Sequence, residues 1–119
     1  MNSPVVAILD VGKTHAKLLL ADAVSGELMG SAQRHRQPYE AGGLRQLDLD
    51  ATWEWLLQAL AAAEHPERIT DFVPVGHGAA AALIDAQGAL LAAPDYEDPA
   101  FESVAAEYHA LRDPFALTA

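Results

Sequence analysis

The chain has 119 residues, 51% hydrophobic and 20% charged, which is the composition of one folded domain and argues against disorder. Seventeen acidic residues against seven basic ones give a net charge of -10, which argues against a nonspecific nucleic-acid or acidic-membrane surface because phosphates would be repelled. There is no cysteine, no basic segment leading into an apolar run, and no apolar stretch of about 20 residues, so we expect a cytoplasmic protein that is neither exported nor inserted into a membrane.

Three extended segments are predicted in the first third of the chain. Residues 5–9 form a β-branched and apolar run without polar alternation, which predicts a strand in the middle of a sheet with both faces covered. Residues 16–21 and 28–32 are two further apolar runs, and the sequence between them has the Ser-Gly chemistry of a turn. This spacing predicts two consecutive β-hairpins.

A helix is predicted after these hairpins. Asp50 is the predicted N-cap, and apolar residues recur on one helix face, which places Trp53 in the core. Pro66 sets the latest point at which this helix ends.

The second half of the chain predicts a further strand, a hairpin and a helix. Residues 69–75 predict the strand, which leads into a Gly-His-Gly turn. Residues 79–84 and 89–93 flank a turn and predict the hairpin, although alanine has a weak strand preference. Apolar residues at helical spacing predict a helix over residues 99–111.

Residues 10–15, with the sequence DVGKTH, contain the Gly-Lys-Thr triplet that closes a nucleotide-binding P-loop. A P-loop also needs a glycine five positions before Gly12, where this chain has Ala7 inside a predicted strand. In addition, a P-loop opens a helix, whereas the residues after Thr14 continue as a strand. The triplet is therefore predicted to lie in a hairpin turn.

Such a turn can still bind phosphate. Gly12 allows close approach of the backbone, and Thr14 supplies a hydroxyl beside exposed amides. Asp10 follows a buried strand and suits Mg²⁺ or its waters, because Mg²⁺ prefers hard oxygen ligands and keeps much of its hydration. Lys13 or Lys17 would add positive charge. From the residues alone, the alternative is that the segment is an ordinary turn.

Two segments resemble the FGGY carbohydrate kinases, members of the actin and hexokinase superfamily. Residues 10–17, DVGKTHAK, resemble the family's first phosphate motif, which typically reads Asp-x-Gly-Thr-Thr-x-x-Lys, and Lys13 replaces the usual first threonine. Residues 75–88, VGHGAAAALIDAQG, resemble its glycine-rich turn, apolar strand, Leu-x-Asp and Gly. The resemblance implies an α/β fold class, a ribonuclease H-like (actin-like ATPase) mixed sheet with flanking helices, in which residues 1–119 are the N-terminal part of the first kinase domain.

The resemblance implies an enzyme that uses ATP and Mg²⁺ to phosphorylate a sugar hydroxyl. The residues implied at the ATP phosphates and Mg²⁺ are Asp10, Gly12, Lys13, Thr14 and Lys17, with Asp10 at the metal, and those implied at the sugar are Gly76, His77, Gly78 and Asp95. Lys13 either strengthens phosphate contact as a point charge or marks a subgroup with a different loop shape. Without the resemblance, His77 is a histidine of a solvent-facing turn, and Asp95 belongs to a solvated acidic run.

Family members are several times longer and close a cleft between two domains. The resemblance implies that the catalytic aspartate and the adenosine-binding second domain lie beyond residue 119, so we expect no catalytic residue and no turnover in these 119 residues. The expected partners are a sugar, ATP and another copy of the chain through an exposed sheet edge, with neither nucleic acid nor membrane. Two alternatives remain: a non-catalytic module that binds a small ligand or a protein, and a glucokinase-like or acetate-kinase-like enzyme, against which residues 75–88 argue.

Overall fold

The computed structural model describes residues 2–118, and a mixed four-stranded sheet forms its centre. The strands are β1 (Val5–Val11), β2 (His15–Asp22), β3 (Leu28–His35), β4 (Tyr39–Ala41), β5 (Leu44–Gln46), β6 (Ile69–Gly76), β7 (Leu83–Ile84) and β8 (Leu90–Ala92). The helices are α1 (Leu49–Ala61), α2 (Glu102–Leu111) and α3 (Phe115–Thr118), with 3₁₀ turns at Pro66–Arg68 and Pro99–Phe101. Within the described residues, no helix combines the length and the apolar character needed to cross a membrane.

The central sheet has the strand order β3-β2-β1-β6. β1 pairs antiparallel with β2, and β2 pairs antiparallel with β3, so the two predicted consecutive hairpins are confirmed. β6 pairs with β1 in parallel, which requires a crossover connection, and the segment containing α1 makes this connection. The predicted central position of β1 and the predicted mixed sheet are therefore confirmed.

The core lies between the sheet and α1. Its buried members are Val5, Ala7, Leu9, Leu18, Leu20 and Leu56. Because successive side chains on a strand point to opposite faces, Val6, Ile8 and Asp10 face away from α1, where they are half-buried. The prediction that both faces of β1 are covered thus holds for the α1 face alone within residues 2–118.

Helix α1 begins earlier than predicted and buries a different face. Leu49 is its first residue, so the predicted N-cap Asp50 lies in the first turn instead. The prediction of Trp53 as a core residue was also wrong, because its side chain is 58% exposed and lies at the rim of an apolar groove. The residues that α1 buries are Thr52 and Leu56, one turn apart, and Trp55, Ala59 and Leu60 pack against the core while partly buried.

Two small hairpins extend beyond the central sheet. The sequence analysis did not predict the β4–β5 hairpin, whose Gly42 and Gly43 have φ of +64° and +78°. The predicted β7–β8 hairpin is confirmed, with strands shorter than expected. Backbone hydrogen bonds from Leu47 to Ala93 and from Asp95 to Arg45 join the end of β5 to the segment that follows β8.

The second half of the chain leaves much apolar surface exposed. The radius of gyration is 18.3 Å, against about 14 Å expected for a compact domain of this length. Phe72, Val73 and Val75 on β6 are each close to half-exposed, although a strand paired in parallel is normally covered on both faces. Helix α2 buries none of its residues and exposes Tyr108 and Leu111.

We expect the chain to self-associate at high concentration, because β6 combines an open sheet edge with exposed apolar side chains. Light scattering is expected to show a mass that rises with concentration, and Val73→Lys is expected to reduce that rise. Val24→Lys changes a residue that is 81% exposed in the β2–β3 turn and serves as the matched control. A constant monomer mass for the unaltered chain at high concentration would contradict this prediction.

Candidate functional site

The two glycine-containing turns predicted to bind ligands lie at the same end of the central sheet. Val11 at the end of β1 is in register with Gly76 at the end of β6, and the two strands run parallel. The turn of residues 12–14 and the turn of residues 76–78 therefore follow adjacent carboxyl ends of strands. In open α/β sheets this is where ligands bind.

The first of these turns is a hairpin turn, as predicted. The Gly12 amide donates a 2.9 Å hydrogen bond to the His15 carbonyl, and β2 begins at His15. A side chain at position 12 would place its Cβ 3.1 Å from that carbonyl oxygen, so the closed turn favours glycine. Because a strand and not a helix follows Thr14, the Gly-Lys-Thr triplet does not form a P-loop.

A buried arginine stabilises this turn through hydrogen bonds to its carbonyls. The backbone amide of Arg36 donates to the Thr14 carbonyl at 2.8 Å, and its Nη1 donates to the Gly12 carbonyl at 3.0 Å. Arg36 is 2% exposed, so the residue that makes these hydrogen bonds is buried in the protein. Within residues 2–118, no acceptor contacts the amides of Lys13 and Thr14. The carbonyls of Gly12 and Thr14 thus accept hydrogen bonds from the protein, while the amides of Lys13 and Thr14 remain available as donors.

Asp48 fixes the position of that arginine. Its carboxylate is 4% exposed and accepts hydrogen bonds from Arg36 Nε at 2.9 Å, from Arg34 Nη2 at 2.8 Å and from the Gln37 amide at 2.8 Å. Burial opposes its ionisation, but the bonds from Gln37, Arg36 and Arg34 hold the pKa of Asp48 below its ordinary value. The sequence analysis missed this residue, although a charge between Leu47 and Leu49 was a signal of a paired buried carboxylate.

Asp10 and Lys17 lie on one face of the sheet. They are directly opposite each other in the β1–β2 pairing, and such pairs project to the same side. This face is the one that α1 leaves open. No group of three or more acidic or histidine side chains suited to a metal occurs within the described residues. A lone carboxylate such as Asp10 suits Mg²⁺ that takes most ligands from water and phosphate.

The side chain of Lys13 connects the first turn to a loop far away in sequence. Its Nζ lies 2.7 Å from Asp95 Oδ1 and 2.6 Å from Glu97 Oε2. The same ammonium lies 4.7 Å from the centroid of the Tyr96 ring, within the range of a cation–π contact. Residues predicted for the phosphate side and for the sugar side of the site are therefore in direct contact.

Asp95 is the buried centre of this cluster, at 1% exposure. Its Oδ1 accepts from Lys13 and from the Glu97 amide at 3.0 Å, and its Oδ2 accepts from Arg45 Nε at 2.7 Å. Burial opposes ionisation, but the hydrogen bonds from Lys13, Glu97 and Arg45 lower the pKa of Asp95 to about 2. Both oxygens of the carboxylate thus have protein donors.

The Gly-His-Gly turn meets the same loop through aromatic rings. The ring centroids of His77 and Tyr96 are 5.5 Å apart. His77 is half-buried, and its Nδ1 atom is buried with no hydrogen-bond partner among residues 2–118. Gly76 and Gly78 on either side are exposed. A buried ring nitrogen between two glycines is a polar group to which a ligand hydroxyl can hydrogen-bond.

Stability is expected to fall in acid because of the Asp95 cluster. The folded pKa of about 2 lies below the ordinary value of 3.8, so the stabilisation is present above about pH 4 and is lost as the pH falls through 2. Urea unfolding followed from pH 5 to pH 2 measures this loss. Asp95→Asn removes this titrating group and is expected to reduce the slope of the profile, with the remainder due to other carboxylates of lowered pKa such as Asp48. A free energy of unfolding that stays constant over this range would contradict the prediction.

Over nearly its full length, the chain is similar to a solved carbohydrate kinase. That protein, from Novosphingobium aromaticivorans, superposes with a TM-score of 0.82 at 41% identity, over 98% of this chain and 24% of that chain. The chain matches a segment of the carbohydrate kinases. A xyloylose kinase from Brucella ovis gives a TM-score of 0.68 at 27% identity, over 86% of this chain and 23% of its own. No protein-family model and no curated protein sequence matches the chain.

The match to carbohydrate kinases confirms the predicted resemblance and the predicted fold class. A xylulose kinase from Lactobacillus acidophilus, at 17% identity and a TM-score of 0.66 over 90% of this chain, shares the fold. The chain spans about a quarter of the length of these carbohydrate kinases, between 22% and 24%.

Proposed function

We propose that the chain is the N-terminal part of the first domain of an FGGY-type kinase that transfers the γ-phosphate of ATP to a sugar hydroxyl. The observation that carries this proposal is the 41% identity to a carbohydrate kinase over 98% of the chain, at a TM-score of 0.82. Two features of the site support it: a phosphate-type turn and a histidine-containing turn at one end of the sheet.

On the nucleotide side, the proposal assigns Asp10 to Mg²⁺, and Gly12 and Thr14 to the phosphates of ATP. The available amides at the apex of the turn and the Thr14 hydroxyl are donors for phosphate oxygens. Lys17 adds a positive charge on the same face as Asp10. Bound Mg²⁺ would neutralise phosphate charge during transfer, and Arg36 keeps the turn in place while this occurs.

On the sugar side, the proposal assigns four residues to the sugar-binding part of the site: the exposed Gly76 and Gly78, together with His77 and Asp95. His77 Nδ1 has no partner among residues 2–118 and is suited to a sugar hydroxyl. Asp95 has both oxygens bound by protein donors, so it contributes through the loop that it organises. The proposal assigns no catalytic residue to residues 1–119, and we expect the isolated chain to turn over no substrate.

A chimeric enzyme tests the proposed function. This chain would replace the matched segment of the carbohydrate kinase from Novosphingobium aromaticivorans, and ADP release would be measured against a panel of sugars and polyols. We expect sugar-dependent release of ADP with at least one acceptor. Asp10→Asn in the chimera is expected to reduce kcat by roughly 100-fold, because a metal ion contributes several kcal/mol to phosphoryl transfer.

Asp71→Asn is the matched control for that substitution, because Asp71 is an exposed aspartate on the neighbouring strand β6. It is expected to leave kcat unchanged. A chimera that has the native circular dichroism spectrum and releases no ADP with any acceptor would refute the proposed function and favour a non-catalytic binding module.

A further inference from the structure

Lys13 is the residue at which this chain departs from the phosphate motif that it resembles. It lies at the apex of the β1–β2 turn, where an ammonium could reach a nucleotide. Its three close partners are instead consecutive residues of the loop after β8, Asp95, Tyr96 and Glu97. One side chain thus makes two ion pairs and one aromatic contact with a single short loop.

The positive charges of this cluster are at least matched by negative ones, since the Asp98 carboxylate also accepts a hydrogen bond from the Arg45 amide. Lys13 and Arg45 supply two positive charges, and Asp95 and Glu97 supply two negative ones. A phosphate that approached Lys13 would compete with two carboxylates already within 2.7 Å of its Nζ. Lys13 therefore has no uncompensated charge to offer an incoming nucleotide.

The two ion pairs of Lys13 differ in burial. The Asp95 side chain is 1% exposed, and removing a partner from a buried carboxylate is strongly unfavourable. The Glu97 side chain is 63% exposed, and pairs of this kind contribute little. Lys13 is consequently held by Asp95, while Glu97 is the weaker partner.

The contact with Tyr96 extends the influence of Lys13 to the histidine turn. The ammonium lies 4.7 Å from the Tyr96 ring centroid, and that ring lies 5.5 Å from the ring of His77. A change in the position of Lys13 would therefore move Tyr96 and, through it, the environment of His77.

We propose that Lys13 is a positioning residue of the sugar side of the site and not a ligand of the ATP phosphates. It holds residues 95–97 against the turn of residues 12–14, and thereby fixes Tyr96 and His77 where a sugar hydroxyl would bind. The sugar-binding part of this inference rests on the proposed function. The contact geometry of Lys13 stands independently of it.

The test uses the full 119-residue chain and compares Lys13→Met with Lys13→Arg by NMR. Lys13→Met is expected to shift the ring resonances of both Tyr96 and His77 and to raise the pKa of Asp95 from about 2 toward its ordinary value. Lys13→Arg keeps the positive charge, so its Tyr96 and His77 ring resonances and its Asp95 pKa are expected to stay close to those of the unaltered chain. In the chimeric kinase, the KM for MgATP is expected to change by less than about threefold in Lys13→Met.

Two further variants serve as controls. Arg112→Met removes one positive charge beyond α2 and is expected to leave the rings of Tyr96 and His77 unshifted. Glu97→Gln leaves the ion pair between Lys13 and Asp95 intact and is likewise expected to leave the rings of Tyr96 and His77 unshifted. This variant tests the unequal strength of the two Lys13 ion pairs even if Lys13→Met fails to fold.

Three results would overturn the inference: unshifted rings in Lys13→Met, ring shifts in Glu97→Gln as large as those in Lys13→Met, or a rise of about tenfold or more in the KM of the chimera for MgATP. The last result would make Lys13 a phosphate ligand. Absence of ADP release by the unaltered chimera counts against the proposed function, whereas the ring resonances of the 119-residue chain still decide the position of Lys13.

Discussion

Replacing Asp48 by asparagine is expected to lower the free energy of unfolding by about 3–5 kcal/mol, because the buried Arg36 would lose the charge that compensates it. Asparagine keeps the size of the side chain but removes the negative charge that binds Arg34 and Arg36. Urea unfolding monitored by circular dichroism measures the change. In the same variant, backbone NMR resonances of Gly12 and Thr14 are expected to shift, because Arg36 holds both carbonyls.

Asp50→Asn provides a control two residues away. Asp50 is exposed in the first turn of α1, where a carboxylate interacts favourably with the helix dipole, so its replacement is expected to cost less than about 1 kcal/mol. Equal losses for Asp48→Asn and Asp50→Asn would show that the buried ion pair is not a major source of stability.

Truncating Leu56 to alanine is expected to lower the free energy of unfolding by about 2–5 kcal/mol. Leu56 is 1% exposed and packs between α1 and the central sheet, so removal of three carbons leaves a cavity in the core. Chemical unfolding of the purified variant measures the loss.

The neighbouring leucine makes a matched control. Leu57 is 49% exposed, so Leu57→Ala removes the same atoms from a site with little burial and is expected to cost less than about 1 kcal/mol. If Leu57→Ala proved the more costly of the two, the face of α1 assigned to the core would be wrong.

Local pattern was sufficient to predict most of the central sheet. The apolar runs that became β1, β2 and β3 are separated by short turns, so that their pairing partners are neighbours in sequence. The β4–β5 hairpin was missed because its strands are three residues each, too short to establish a period, although the Gly42-Gly43 pair between them was a hairpin-turn signal. The error at Trp53 has a related cause. Large aromatic residues are usually core residues, and only the crossing of α1 over the sheet shows which helix face is covered.

The candidate site was predictable in part. The turn motif predicted Gly12 and Thr14, and the glycine turn that resembles the kinases predicted His77; the two turns lie at the same end of the sheet, and the ligand roles of these residues stay predictions. The ion pair between Lys13 and Asp95 spans 82 residues of sequence, and no spacing rule relates residues so far apart. Likewise, Arg36 could be assigned as the support of the turn only after β3 had been placed beside β2.

The position of β6 at the border of the sheet has a consequence for local opening. Among residues 2–118, β1 and β2 are each flanked by two strands, whereas β6 has one neighbouring strand and an unpaired second backbone edge. Amide protons on the inner strands should therefore exchange with deuterium far more slowly than those along the outward edge of β6. The segment that carries the Gly-His-Gly turn would then unfold locally while the phosphate-type turn remains folded.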